Sequence, residues 1–309
     1  MVLWVRAYLS DSAFREEGIN NSKFSVLNYL EDIENTFYGP LKKDYLQKLY
    51  GGDERFRDIN REKLRSISGS DVRDWVYSHV LNRSPEIVVV GEFEFDEVTK
   101  ILADTFGGLK CMSTPEVGSV ADKAIKMRSD VHEEYQIDSD NFQPRIRFYW
   151  PAQDKLGKDK ALLAVLNSLF EGRFRNVLRE KLSVAYTPEV RLAQYEYPWL
   201  GEHLILDVST EYSNMDLVRR VVPDIMSSFE DDSISMEELE RARNPLVEQL
   251  ELLKCSTPFL LGTIPKNDGN EFCSLNDAID YMLSRTPEDL TKTVLRMFHS
   301  DKYSSIIVR

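Results

Sequence analysis

Arg179 and Tyr186 are seven positions apart in Leu178-Arg179-Glu180-Lys181-Leu182-Ser183-Val184-Ala185-Tyr186, where a helical pattern ends in a charged turn and runs into an extended segment. A guanidinium and a phenol at such a junction are donors that could stabilise a developing oxyanion. On residue types alone the simpler reading is a helix end, with the arginine favoured by the helix dipole and the tyrosine in the next strand.

Rival chemistry is sparse. The nearest two of the four histidines, His79 and His132, are 53 positions apart, so no pair can present imidazoles from one helical turn, and H-x-x-E-H is absent. Each histidine reads as a surface or interface residue, and His132-Glu133-Glu134 as a solvated charge cluster in or near a linker. Asp138-Ser139-Asp140 begins like a calcium loop but lacks the glycine and terminal glutamate such a loop needs. Gly51-Gly52 and Gly107-Gly108 do not have phosphate-loop spacing, and there is no G-x-S-x-G turn. Cys111, Cys255 and Cys273 are far apart and read as isolated thiols.

Charge narrows the partners. With 39 basic and 52 acidic side chains the net charge is -13, a field that repels nucleic acid and anionic membrane surfaces. The run Arg145-Ile-Arg-Phe-Tyr-Trp150 is therefore expected to be a core strand, with Arg145 and Arg147 on its other side, and not a base-stacking platform. Met1 to Ser10 is apolar but interrupted by Arg6 and has no basic flank, so it reads as neither signal peptide nor membrane span. A strand or hydrophobic edge of a larger body is the expectation, in a chain that begins mid-protein. No compartment follows.

The 309 residues suffice for two domains, and 42% hydrophobic content for a buried core. Periodicity predicts a helix over 22–50, interrupted at Gly39-Pro40 and resumed at Leu41, then a helix over 68–80, a buried strand over 86–91 and a helix over 96–106. Residues 109–130 lose periodicity and read as a linker. Beyond it come a strand over 145–150, a helix over 159–182 striped by Leu163, Leu166, Phe170, Phe174 and Val177, and antiparallel strands over 186–194 and 202–210. Arg179 lies off the stripe. Helices follow over 214–229 and 235–254, the second opened by the Ser235-x-x-Glu238 capping pattern and kinked or broken at Pro245, then a helix from Pro287 to Phe298 and a strand over 305–308. Ser68-x-x-Asp71, a helix and the Ile87 strand echo Thr286-x-x-Asp289, a helix and the Ile306 strand.

Three passages carry a resemblance. Glu86-Ile-Val-Val-Val-Gly-Glu-Phe-Glu-Phe-Asp96 with its following helix, Leu178 to Tyr186, and Glu237-Glu-Leu-Glu-Arg-Ala-Arg243 resemble, in order, the strand-glycine-acid-helix, R-E-K-x-G-x-A-Y and E-E-L-x-R-A-x segments of the M16 peptidases (insulinase, pitrilysin and mitochondrial processing peptidase). The resemblance covers roughly residues 51–309.

It implies an α+β fold of tandem M16-type units, each an antiparallel or mixed sheet packed against helices. Residues 1–110 would be the closing part of an incomplete first unit, 111–130 a linker and 131–309 a complete second unit. In such enzymes one half carries the H-x-x-E-H zinc site and the other an arginine and a tyrosine that reach the substrate. Arg179 and Tyr186 would be that pair, stabilising charge on the carbonyl oxygen; one such donor is worth ~3 kcal/mol, on the order of a hundredfold in rate.

This chain would then be the C-terminal half of a zinc metalloendopeptidase, inactive alone and holding no cofactor. Zinc would sit on a partner half, joined upstream in the same polypeptide or separate, and the substrate would be a peptide. The alternative is a catalytically silent structural or assembly subunit. Ser183 departs from the family's usual glycine and puts the aim of Tyr186 in question.

Overall fold

The computed structural model describes residues 5–7, 12–81, 87–107, 125–138, 142–154, 157–185, 187–193, 201–254, 256–263 and 275–309. By contact they fall into a smaller unit (Met1–Glu31, Ile59–Val120, Ser256–Asn267) and a larger one (Asp32–Asp58, Ala121–Cys255, Asp268–Arg309). Residues 32–58, which the sequence division placed with the first unit, therefore pack with the larger one. Most of the 111–130 segment lies outside the described residues.

The regular secondary structure described in the smaller unit is all helical. It contains α1 (Glu16–Glu34), a short helix over Arg61–Ser66, α2 (Gly69–Val76), which continues as a π-type turn over Tyr77–Leu81, and α3 (Phe95–Phe106). Ser68 and Asp71 form the expected reciprocal cap on α2. Two expectations are corrected. Residues 5–7, inside the expected N-terminal strand, are helical and exposed. Ile87–Val90, expected as a buried strand, has no ladder partner among the described residues, and Ile87 and Val89 are 42% and 43% exposed. β-branching favours extension, but burial needs neighbours that this unit does not supply among its described residues.

In the larger unit, the helix broken near Gly39-Pro40 resumes earlier than the sequence suggests, over Tyr38–Pro40, Leu41–Tyr45 and Leu46–Leu49. Pro40 sits in the first turn, where its missing N–H has no intrahelical acceptor to lose. Gly39 is required by the tight approach, since a Cβ there would lie 2.2 Å from the Glu34 carbonyl oxygen.

The rest of this unit runs β1 (His132–Tyr135), β2 (Arg145–Pro151), α4 (Leu163–Arg175), β3 (Glu189–Ala193), β4 (His203–Ser209), α5 (Met215–Asp231), α6 (Met236–Leu253), α7 (Leu275–Ser284), α8 (Pro287–Met297) and β5 (Ser304–Val308). The fold is α+β, with one mixed sheet in the order β1-β5-β2-β4-β3; β1 is parallel to β5 and the other pairings are antiparallel. His132 and Glu134 are exposed, as the reading of a charge cluster expected, but the segment is a strand paired with β5 and not linker. The charges sit on an edge strand, where they discourage further pairing. α6 runs unbroken through Pro245.

Strand alternation sets the two faces. Ile146, Phe148 and Trp150 lie opposite Val208, Leu206 and Leu204, and this face is buried with Leu166, Phe170 and Phe174 of α4, Val222 and Phe229 of α5, and Leu290 and Val294 of α8. Tyr149, Ile205, Ile306 and Val308 point the other way, into a second cluster with Phe37, Leu41, Tyr45 and Leu49. Each large side chain so buried contributes roughly 1.5–3 kcal/mol, so the sheet is fixed from both sides. No helix among the described residues is long and apolar enough to cross a membrane.

Candidate functional site

The junction after α4 is built by a change of helical pitch. At Asn176–Lys181 the helix loosens into a π-type turn, and Leu182 N–H donates to the Val177 carbonyl at 3.0 Å. Ser183 then takes φ +53°, the left-handed conformation that normally selects glycine. Its N–H donates to the Arg179 carbonyl at 3.2 Å, and Val184 N–H donates to the Leu178 carbonyl at 2.9 Å. This closure resembles a Schellman cap but is one residue wider, as the π-type turn requires. The chain takes a left-handed turn here with serine where glycine would be least strained.

Both sides of the junction are anchored. Leu178 is fully buried, Val184 and Ala185 are buried, and Thr210 donates its hydroxyl to the Val184 carbonyl. Arg179 itself stands out from this rigid base. Its side chain is 46% exposed and its Nε is 3.6 Å from the Glu180 carboxylate, a pairing too solvated to hold it strongly. Tyr186 lies outside the described residues.

Just upstream, Arg173 does what the sequence reading missed. Its Nε donates to Glu238 Oε1 at 2.9 Å, its Nη2 donates to the Asp232 carbonyl at 2.9 Å, and its guanidinium lies 4.0 Å from the Phe229 ring centroid. Glu238 also completes the expected cap with Ser235. One carboxylate thus starts α6 and ties it to α4. Despite the partial burial that opposes its charge, hydrogen bonds from Arg173 and Ser235 hold the Glu238 carboxyl below the usual range. The available signal was an arginine inside the apolar stripe, between Phe170 and Phe174.

Two further polar groups are internal. Arg147 donates through Nε to Asp207 Oδ2 at 2.8 Å, with Phe37 4.7 Å over its guanidinium, so the "other side" of β2 is a second covered face and not a solvated one. His203 is 1% exposed within its own chain, contrary to its reading as a surface or interface histidine, and burial pushes its pKa down to about 4. Its imidazole is neutral at pH 7. Among the described residues no three His, Cys, Asp or Glu side chains converge as a metal ion requires. All three cysteines lie outside the described residues.

The family model described as the peptidase M16 inactive domain matches residues 66–246, more than half of the chain. The chain belongs to the M16 peptidase family. All three resembling passages fall inside the matched M16 stretch. Over 102 residues the chain is 26% identical to the chloroplastic stromal processing peptidase of Arabidopsis thaliana, a match that covers 33% of this chain and 8% of that protein.

Among solved structures, an M16 inactive domain from Pseudomonas fluorescens superposes with a TM-score of 0.79 at 12% identity, covering 99% of this chain and 74% of that one. The periplasmic protease PqqL of Escherichia coli gives a TM-score of 0.70 at 16% identity, covering 93% of this chain and 32% of PqqL. At such identities these structures speak for the fold. The chain spans under a tenth of the curated relative and about a third of PqqL.

Proposed function

We propose that this M16 inactive domain is the C-terminal, metal-free half of a zinc metalloendopeptidase, where it helps enclose a peptide and directs Arg179 and Tyr186 at the reacting carbonyl. The observation that carries the reading is the junction. An exposed guanidinium rests on a backbone route locked by the left-handed Ser183, in the segment that resembles the family's arginine-tyrosine passage. Such rigidity suits the role, because donors stabilise a transition state only when held in place before charge develops.

The chemistry assigned to this half is limited to its own residues. Arg179 and Tyr186 would donate to the oxygen as it gains charge, and the sheet and helices would hold the junction still. Any metal would be held by the partner half. Purified alone, the chain is expected to cleave no peptide and to bind no stoichiometric zinc by elemental analysis; stoichiometric zinc would overturn the assignment.

In the assembled enzyme, Arg179→Ala and Tyr186→Phe are each expected to lower kcat on the order of a hundredfold with little change in KM or melting temperature. An unchanged kcat in both would favour the second reading, a structural or assembly subunit.

A further inference from the structure

Thr210 stands just past the end of β4, yet it is only 3% exposed. A threonine at a strand end ordinarily leaves its hydroxyl in water, whereas a buried hydroxyl has to find a partner. The Thr210 backbone N–H donates to the Pro144 carbonyl at 3.1 Å, one step beyond the Arg145–Ser209 pair. Thr210 is thereby fixed to two interior strands of the sheet, β2 and β4, and its hydroxyl reaches from that frame to the Val184 carbonyl.

That bond holds a whole peptide group. The Val184 carbonyl and the Ala185 N–H belong to one planar trans peptide and point in opposite directions. Ala185 N–H donates to the Leu178 carbonyl at 3.2 Å, and Val184 N–H donates to the same carbonyl at 2.9 Å. The Leu178 carbonyl in turn shares its peptide plane with the Arg179 N–H. The Thr210 hydroxyl, the 184–185 peptide and the 178–179 peptide therefore form one relay, in which each hydrogen bond polarises the next.

The relay spans the strained residue. Ser183 at φ +53° keeps its left-handed conformation only while the chain on both sides of it is held. Leu178 is held by burial on the helix side, and Val184 and Ala185 are buried on the other. Apolar burial is non-directional, so it fixes where these two small side chains lie and not how the peptide between them is turned. The Thr210 hydroxyl supplies that direction.

We propose that Thr210 is a positioning residue: its hydroxyl orients the 184–185 peptide and, through it, the backbone of Arg179, so that the guanidinium is held ready for the reacting carbonyl. The inference rests on the catalytic reading of Arg179 given above. Being buried, Thr210 acts only through the turn.

Two variants separate shape from hydroxyl. Thr210→Val keeps the branched shape and removes the donor, whereas Thr210→Ser keeps the donor and removes a methyl group. In hydrogen exchange on the full chain, measured relative to the amides of β4, the Ala185 amide should exchange about tenfold faster in Thr210→Val and stay within about threefold of the parent rate in Thr210→Ser. In the assembled enzyme kcat should fall about tenfold in Thr210→Val with KM little changed, and return to within about threefold in Thr210→Ser. A group that only stabilised the fold would lower activity in step with melting temperature in both variants, without rescue by serine.

Ala185 exchange that does not respond to loss of the hydroxyl would overturn the proposal, and so would equal kcat in the valine and serine variants. An unchanged kcat in Arg179→Ala would instead overturn the catalytic reading on which it rests.

Discussion

Replacing Ser183 by glycine isolates the strain in the junction. A residue with a Cβ at φ +53° carries an unfavourable energy of roughly 1–2 kcal/mol relative to glycine. Glycine gives back about 0.4–1 kcal/mol through the greater freedom of the unfolded chain. The serine hydroxyl also donates to the Arg179 carbonyl, but at 3.3 Å from an exposed position its loss is small. The net expectation for Ser183→Gly is a gain of about 0.5–1 kcal/mol, or roughly 1–4 °C in melting temperature for a unit of this size. Ser183→Ala keeps the Cβ and so should gain nothing.

Urea unfolding of both variants, followed by circular dichroism, measures the difference directly. If glycine destabilises the chain, or alanine matches it, the left-handed strain is not what distinguishes this junction. The same pair also reports on the site. If the junction aims Tyr186, Ser183→Gly should alter kcat in the assembled enzyme by far less than Tyr186→Phe, because the backbone route is already the one glycine would take.

Other expectations follow from the internal polar groups. His203 is depressed from 6.5 to about 4, so the unfolded chain takes up a proton as pH falls through 6.5 while the folded chain resists until about 4. Stability is therefore complete above pH 6.5 and lost on acidification; between pH 7.5 and 4.5 the native chain should lose about 2–3 kcal/mol more than His203→Gln, and equal losses would refute the buried neutral imidazole. Glu238→Gln should keep the helix cap and cost less than Glu238→Ala, which removes both cap and ion pair and should cost about 2–4 kcal/mol in denaturant titration. Asp207→Asn leaves a buried guanidinium without its counter-charge and should cost about 3–5 kcal/mol, while Arg147→Met with Asp207→Leu should recover most of the loss.

Much of the larger unit was legible from periodicity. Alternation in 145–150 set Arg145 and Arg147 apart from the core-facing side chains, because strand geometry repeats every two residues whatever lies on either side. The caps at Ser68, Ser235 and Thr286 were legible for the same reason, being local contacts over three residues. β1 was not: its charged, half-exposed residues have no pattern of their own, and only pairing with β5 makes them a strand. Arg173 and Glu238 are 65 positions apart, and Arg147 and Asp207 are 60, separations at which sequence spacing carries no information about contact.

The sequence by itself determined where Arg179 falls: at a helix end, off the apolar stripe, five residues after Phe174. That Ser183 stands where a glycine-like conformation would be demanded came from the resemblance to the M16 segment and not from the spacing. Tertiary structure decided that Ser183 accepts that conformation, because buried Leu178, Val184 and Ala185 hold both ends of the turn and leave the backbone no other closure. It also decided the fate of two similar strands. Ile306 and Ile87 are both β-branched residues in apolar runs, and local preference is alike in the two; one is buried because neighbouring strands and helices surround it, and the other is 42% exposed. Burial is a property of what a segment packs against, and no segment carries that within its own residues.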